Sequence, residues 1–133
     1  MYNIEYLKEF FKDDLFAMKR LGAEIVEAHN DYAKCRVEIT KEHFNAKGII
    51  MGGAVFSLAD FTFAVATNQN EEYNTVSTTA SISYVRPATG KYLYAEAIKL
   101  RDGKTVCFYD IFIYNDSDTV VAKASISGTH VYK

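Results

Sequence analysis

The stretch HFNAKGIIMGGAVFSLADFTFAVATN, residues 43–68, decides the fold of this chain. Within residues 54–66 the only polar side chains are Ser57, Asp60 and Thr62. A helix of this composition is apolar nearly all round, so we expect a central helix that the rest of the chain encloses. Burial of a lone carboxylate in such a helix disfavours its charged form, and we therefore expect Asp60 to have a raised pKa.

Strand patterns lie on both sides of this helix. Residues 23–40 alternate apolar and polar side chains and predict a hairpin that turns at Asn30 and Asp31. After the helix, four stretches rich in β-branched and aromatic residues are separated by the turn signals PATG, RDGK and NDSD. They predict a four-strand antiparallel meander, and the single proline, Pro87, marks the end or a bend of a strand. The fold class is α+β, with a curved antiparallel sheet of five to six strands wrapped round one long helix.

The first 22 residues predict an additional amphipathic helix that packs on the same domain. Its apolar side chains recur at helical spacing, and Gly22 is a suitable C-terminal stop. A break is expected near Asp13 and Asp14. The apolar stripe consists of Ile4, Leu7, Phe11, Leu15, Met18 and Leu21.

Composition excludes several classes of function. The 133 residues and 49% hydrophobic content suit a single domain, residues 1–133, with a sizeable core. Fifteen basic against seventeen acidic residues provide no surplus of positive charge for nucleic acid or a membrane surface. Cys35 and Cys107 lack the close spacing of zinc or redox motifs, so we expect buried free thiols, no metal and a cytoplasmic protein.

Asn45, the pair Gly52-Gly53 and Asp60 could together carry chemistry. Two glycines at the start of a helix leave the first backbone N–H groups uncovered, at the positive end of the helix dipole. A carbonyl oxygen or oxyanion can approach there, and the Asn45 amide can add a donor or orient a water. Each residue also has a structural interpretation, namely a turn, a cap or a satisfied buried acid, and it is their joint spacing that favours a site.

Spacing along the helix predicts a dimer. At 1.5 Å per residue, Gly52 and Asp60 are about 12 Å apart along one helix axis, too far to contact one reacting carbon. If the two groups act together, Gly52 of one subunit must face Asp60 of another across a two-fold axis.

The motif NAKGIIMGGAVFSLAD resembles the hotdog-fold acyl-CoA thioesterases of the phenylacetic-acid-degradation type, within the 4-hydroxybenzoyl-CoA thioesterase superfamily. The family pattern is Asn, two residues, Gly, two residues, His-Gly-Gly, then Asp in mid-helix. This chain matches at Asn45, Gly48, Gly52, Gly53 and Asp60. The similarity continues through SYVRPATG, AEAIKLRDGKTVCFYDIFIYN and VVAKASISGTHV, and covers roughly residues 22–131.

The resemblance implies a role for each matching residue. Asp60 attacks the thioester carbonyl or activates a water to do so, and both roles are open. The Gly52 N–H polarises the carbonyl, and Asn45 positions water or thioester. A hydroxyl on the next strand holds the water, either Ser77 or, after a one-residue slip of register, Thr78. Asn45 and Gly52 would come from one subunit, and Asp60 and Ser77 from its partner.

Substrate binding is the second expectation from the resemblance. Coenzyme A belongs to the substrate, so no cofactor is expected, and its phosphates would meet Arg86, Arg101 or Lys104, with Lys99 as a further candidate. Gly53 would lie beside the thioester, and Met51 replaces the family histidine with flexible apolar bulk near the acyl group. Phe56, Phe61 and Phe63 are candidates for the acyl pocket or, equally, for the core. The acyl group itself, aryl or fatty, stays open.

Three functions compete at this stage. An acyl-CoA thioesterase, dimeric at least and tetrameric by family resemblance, explains Asp60 best. A non-catalytic acyl-CoA or lipid-binding hotdog domain is the alternative, because Met51 departs from the family. A hydratase or dehydratase ranks last, since such sites pair a histidine with a carboxylate and His29, His43 and His130 all lie outside the central helix.

Overall fold

The computed structural model describes all residues, 1–133, as two α-helices, two short helical segments and six strands. The helices are α1 (Ile4–Phe11) and α2 (Gly52–Thr67), with a π-helical segment at Phe16–Leu21 and a 3-10 turn at Lys41–His43. The strands are β1 (Ala23–His29), β2 (Tyr32–Glu38), β3 (Tyr73–Tyr84), β4 (Tyr92–Asp102), β5 (Val106–Asn115) and β6 (Val120–Tyr132). Neither helix is long and apolar enough to cross a membrane.

The N-terminal segment breaks where the sequence predicts. Asn3 caps helix α1 at its N-terminus, because its side-chain oxygen accepts a hydrogen bond of 2.9 Å from the N–H of Tyr6. After the break the π-helical segment ends at Gly22, where φ is +81°. The prediction that Leu15 belongs to the buried apolar stripe is wrong, because Leu15 is 57% exposed.

The first hairpin turns at Asn30 and Asp31, as predicted. Asn30 and Asp31 have φ values of 49° and 61°, as a two-residue turn of the right twist requires, and β1 pairs with β2 on either side. Pro87 follows the end of β3, as predicted. Cys35 and Cys107 are buried free thiols, also as predicted.

The sheet has the order β1-β2-β4-β5-β6-β3, and all neighbours are antiparallel. The expected four-strand meander is therefore wrong for β3, because only β4, β5 and β6 follow one another in space. Strand β3 pairs with β6 from Tyr73 to Tyr84 and forms one edge of the sheet. The loop after it crosses to the opposite side, so the chain resumes beside β2.

Helix α2 lies across the concave face of the sheet, but the sheet covers only part of its circumference. Its buried side chains, among them Leu58, Phe63 and Val65, form the centre of the core. The opposite face is open: Gly53 and Asp60 are exposed in the single chain. The expectation of a fully enclosed helix with a buried Asp60 is therefore wrong for one chain, because a single sheet can cover only one side of a helix.

Gly128 allows a close contact between helix and sheet, and Gly128→Ala should test it. A Cβ at this position would lie 2.8 Å from Cζ of Phe63 and 2.9 Å from the carbonyl oxygen of Val76. We expect the alanine variant to lower the free energy of unfolding by about 1–3 kcal/mol, as overpacked cores do. Urea denaturation at one protein concentration measures the change.

Gly53→Ala is the matched control for this stability measurement. A Cβ at Gly53 would meet only the flexible end of Met51, at 3.7 Å, so alanine in this helix should be neutral or stabilising. Equal loss of stability in both variants would contradict the packing explanation.

Candidate active site

The first turn of α2 presents two backbone donors without acceptors in the protein. Met51 at the N-cap has no side chain that could cap the helix, and its own N–H bonds to the carbonyl of His43 at 2.8 Å. The first hydrogen bond that closes the helix starts at the N–H of Ala54. The N–H groups of Gly52 and Gly53 are therefore free to bind an oxygen atom from outside the chain.

Tyr84 at the end of β3 closes over the Gly52 peptide. Its hydroxyl donates to the Gly52 carbonyl at 2.9 Å, and its ring would lie 3.0–3.3 Å from a Cβ at that position. A residue with a Cβ at position 52 would therefore push the Tyr84 ring away. The close approach of Tyr84 to the helix backbone, rather than backbone strain, explains why position 52 is a glycine. Sequence reasoning did not identify Tyr84, although it belongs to the SYVRPATG segment.

Asn45 holds the loop that leads into the helix. Its side-chain oxygen accepts hydrogen bonds from the N–H groups of Lys47 at 2.9 Å and Ile49 at 3.2 Å. Its side-chain amide makes no hydrogen bond with the protein, and the residue is exposed. Asn45 can therefore fix the loop with its oxygen while its NH₂ group binds a water or a ligand.

Asp60 lies two turns further along α2, on the same open stripe as Gly53. Its side chain takes part in no ion pair. Partial burial against apolar atoms raises the pKa of this carboxyl above its ordinary value, and the negative charge of Asp14 raises it further. The predicted direction of the pKa shift is thus present even though the side chain is exposed.

Three hollows surround this face of α2. The Tyr84 hollow, about 490 Å³, is lined by Ile50, Gly52, Val55, Tyr84, Val85, Arg86, Pro87, Ala88 and Val121. The Met51 hollow, about 400 Å³, is lined by Phe16, Arg20, Leu21, Glu42, His43, Phe44, Met51, Gly53, Ala54 and Ser57. The Asp60 hollow, about 180 Å³, is lined by Asp14, Phe16, Ala17, Phe56, Ser57, Asp60, Phe61 and Ala64. The free donors therefore lie between two hollows, and Asp60 opens into a third.

Ser77 lies on the helix-facing side of the edge strand β3. Its neighbour Thr75 faces inward and donates to the carbonyl of Thr67 at the end of α2, and Ser77 two residues on shares that face. A bulge follows at Thr78, whose hydroxyl donates to the carbonyl of Ser127 at 3.2 Å. Ser77 is exposed, whereas the Thr78 hydroxyl is used by the sheet, so Ser77 is the better candidate of the two.

The candidate phosphate-binding cations do not lie together in one chain. Arg86 lines the Tyr84 hollow beside Gly52. Arg101 and Lys104 lie at the turn between β4 and β5, where the Lys104 carbonyl accepts from Tyr132 at the far end of the sheet. This turn lies at the end of α2 remote from Gly52, because Tyr132 pairs with Tyr73 and the nearby Thr75 donates to the carbonyl of Thr67 at the C-terminal end of α2. Lys99 is paired with Asp31 at 3.2 Å.

The acyl-pocket candidates separate into two groups. Phe56 and Phe61 line the Asp60 hollow, although Phe61 is only 3% exposed and also packs edge-on against Phe11 in the core. Phe63 is only 2% exposed and packs edge-on against Tyr109, with ring centroids 5.5 Å apart, so it belongs to the core.

His43 is a further residue of the site that sequence reasoning did not place. Its Nδ1 accepts from the N–H of Thr40 at 3.0 Å, and its Nε2 donates to the carbonyl of Leu21 at 2.9 Å. The ring joins the π-helical segment to the loop before α2, and it lines the Met51 hollow. The Thr40 capping pattern could have indicated the 3-10 turn, but no local signal indicates that His43 lies beside Met51.

Comparison with known proteins identifies the family. The model of the thioesterase superfamily matches residues 47–122. The chain is 34% identical over 124 residues to an Archaeoglobus fulgidus protein described as a candidate esterase, across 91% of this chain and 79% of that one. It is 33% identical over 105 residues to the acyl-coenzyme A thioesterase PaaI of Escherichia coli, across 78% and 74% of the two chains. The chain belongs to the thioesterase superfamily.

The solved structure of E. coli PaaI supports the same assignment for this thioesterase. It superposes with a TM-score of 0.86 at 27% identity, over 95% of this chain and 91% of that one. The hotdog fold and the family inferred from the motif around Gly52 and Asp60 are confirmed, and so is the expectation of a thioester hydrolase.

Proposed function

We propose that this protein hydrolyses acyl-CoA thioesters to a free acid and coenzyme A. The observation that carries the proposal is the pair of backbone donors at Gly52 and Gly53, which have no acceptor in the chain and lie between two open hollows. A thioester carbonyl bound there develops negative charge as it is attacked, and donors fixed in advance stabilise that charge. PaaI, which this chain resembles, is named for the same reaction.

Asp60 supplies the second half of the chemistry. As a general base it takes a proton from water while the water oxygen bonds to the carbonyl carbon. The carbon–sulfur bond then breaks, and the proton passes to the departing thiolate. As a nucleophile, Asp60 would itself bond to the carbonyl carbon while the carbon–sulfur bond breaks, and the departing thiolate would take a proton from water. A water would then hydrolyse the resulting anhydride, which releases the free acid and restores Asp60. Both routes use only Asp60, backbone donors and water, so we propose that no cofactor takes part.

The complete site requires two subunits in this proposal. Gly52 and Asp60 of one α2 are about 12 Å apart along the helix, so one chain cannot bring both to one carbon. The open face of α2 and the unpaired edge of β3 are the surfaces that a second copy would cover. The partner would supply Asp60 and Ser77 to the Asn45 and Gly52 of this chain. We extend the proposal to a tetramer of two such dimers in the cytoplasm.

Substrate recognition follows from the same surfaces. Arg86 beside Gly52 is the cation in this chain best placed for a phosphate of coenzyme A. Arg101 and Lys104 could contribute only to a site elsewhere on the dimer. The apolar walls at Phe56 and Phe61 would receive the acyl group.

Two alternatives make different predictions. A non-catalytic binder needs no base, and it leaves unexplained why an unpaired carboxylate occupies the open face of α2.

A hydratase needs a histidine paired with a carboxylate. The chain has two such pairs, His29 with Glu27 at 2.7 Å on the exposed first hairpin and His130 with Asp102 at 2.6 Å. His130 also bonds to Thr75, close to the end of α2 that is remote from Gly52, and neither histidine lines one of the three hollows. We assign both pairs to the structure rather than to the reaction.

A thiol-release assay with aryl and straight-chain acyl-CoAs tests the proposal. We expect turnover with at least one class, and a rate that falls at acidic pH because Asp60 must be ionised. Isothermal titration with the same compounds measures binding separately. Tight binding without any release of thiol would reject hydrolysis and favour the binder.

A further inference from the structure

The Asp60 hollow contains a second carboxylate from the N-terminal segment. Asp14 lies just before the π-helical segment and lines this hollow together with Asp60. Neither carboxylate is part of an ion pair. Two acids thus share a space of about 180 Å³ with no cation between them.

The other walls of this hollow are mostly apolar. They include Phe16, Phe56 and Phe61, and the only polar side chain besides the two acids is Ser57. No other titratable group lines the hollow from either the N-terminal segment or α2. The charged and titratable groups of the adjoining Met51 hollow are Arg20, Glu42 and His43. Both carboxylates are exposed, so water screens part of their repulsion, but no cation among the lining residues of the hollow offsets it.

We propose that Asp14 is a positioning residue of the active site, which keeps Asp60 strongly basic by placing a second negative charge beside it. The effect of Asp14 on catalysis rests on the proposed function. The electrostatic interaction between Asp14 and Asp60 does not, because it is present in the protein without substrate. The N-terminal segment would then be part of the catalytic apparatus, although it lies outside the family motif at residues 45–60.

The physical effect has a definite sign. A neighbouring negative charge disfavours ionisation of Asp60, so Asp60 holds its proton more tightly, and partial burial acts in the same direction. A base that binds a proton more tightly also removes one from water more effectively, once it is ionised. Loss of the Asp14 charge should therefore weaken Asp60 as a base while making it easier to ionise.

Asp14→Asn and Asp13→Asn form a matched pair for the test. Both remove one negative charge from neighbouring exposed positions, but only Asp14 lines the hollow. In the full-length Asp14→Asn protein we expect the acidic limb of the kcat/KM profile to move to lower pH, and the plateau to fall by about two- to fivefold. Asp13→Asn should leave both unchanged.

Carbon-13 NMR of the carboxyl groups tests the coupling without reference to turnover. The Asp60 signal is assigned by its loss in Asp60→Asn, and its titration midpoint should fall in Asp14→Asn but not in Asp13→Asn. An unchanged midpoint, or an equal shift in both variants, would overturn the inference. If the midpoint falls while no variant hydrolyses an acyl-CoA, the coupling stands and the proposed function fails.

Discussion

Asp60→Asn should lower kcat for acyl-CoA hydrolysis by about 10²–10⁴-fold, the range that one general base contributes. Asparagine keeps the size and shape of the side chain but cannot accept a proton or form the covalent intermediate. In the structure Asp60 is exposed and makes no ion pair, and partial burial raises its pKa, so loss of its charge removes no stabilising contact. The free energy of unfolding should therefore change by no more than about 0.5 kcal/mol.

Binding separates a catalytic from a structural effect of this substitution. The affinity for an acyl-CoA analogue with a non-hydrolysable thioether should be the same in Asp60→Asn and wild type. The wild-type rate should fall as pH drops through the pKa of Asp60, which partial burial and the charge of Asp14 raise above its ordinary value, because protonated Asp60 is inactive. Full activity in Asp60→Asn would remove this carboxylate from the mechanism.

Local signals explain which parts of the fold could be predicted. The turn at Asn30 and Asp31 and the helix stop at Gly22 depend on backbone conformations that these residues adopt readily. The partner of β3 could not be predicted, because its pattern fits β4 and β6 equally and pairing is decided by long-range packing. The prediction for Leu15 is wrong because the break at Asp13 and Asp14 changes the direction in which the following side chains point, whereas one continuous stripe requires the same helical phase on both sides of the break.

In the candidate site, too, local features could be predicted from the sequence and contacts between distant segments could not. The free donors at Gly52 and Gly53 could be inferred because neither they nor Met51 carries a side chain that can cap a helix. Tyr84 and Asp14 could not be inferred, because β3 and the N-terminal segment reach α2 only in the folded chain. The exposure of Asp60 in the single chain was not expected, because the apolar composition of α2 indicates that the helix must be covered but not how much of it the sheet of the same chain covers.

Gly52→Pro should lower kcat by about 10²–10³-fold, the effect of removing one oxyanion donor. Proline eliminates the N–H that we assign to the carbonyl, and the first position of a helix accepts proline. Met51 already has φ and ψ of -62° and 136°, an extended conformation that suits the residue before proline. The thiol-release assay measures the loss.

Gly52→Ala is the matched control, since it adds the same Cβ against Tyr84 but keeps the N–H. We expect it to lose some activity, as the Tyr84 ring must move by a few tenths of an ångström, yet to stay well above Gly52→Pro. Equal losses in the two variants would assign the effect to the contact with Tyr84 and would contradict a role for the N–H.

Mixed dimers of the two inactive subunits test whether the site is shared. In a dimer of one Asp60→Asn chain and one Gly52→Pro chain, one site combines the intact Gly52 of the first with the intact Asp60 of the second. Random reassortment makes half of the dimers mixed, each with one working site of two, so activity should return to about a quarter of wild type. If both groups acted within one chain, every site would contain one defect and no activity would return. Recovery therefore requires that the acid of one subunit reaches the free helix end of the other, as the 12 Å separation along α2 demands.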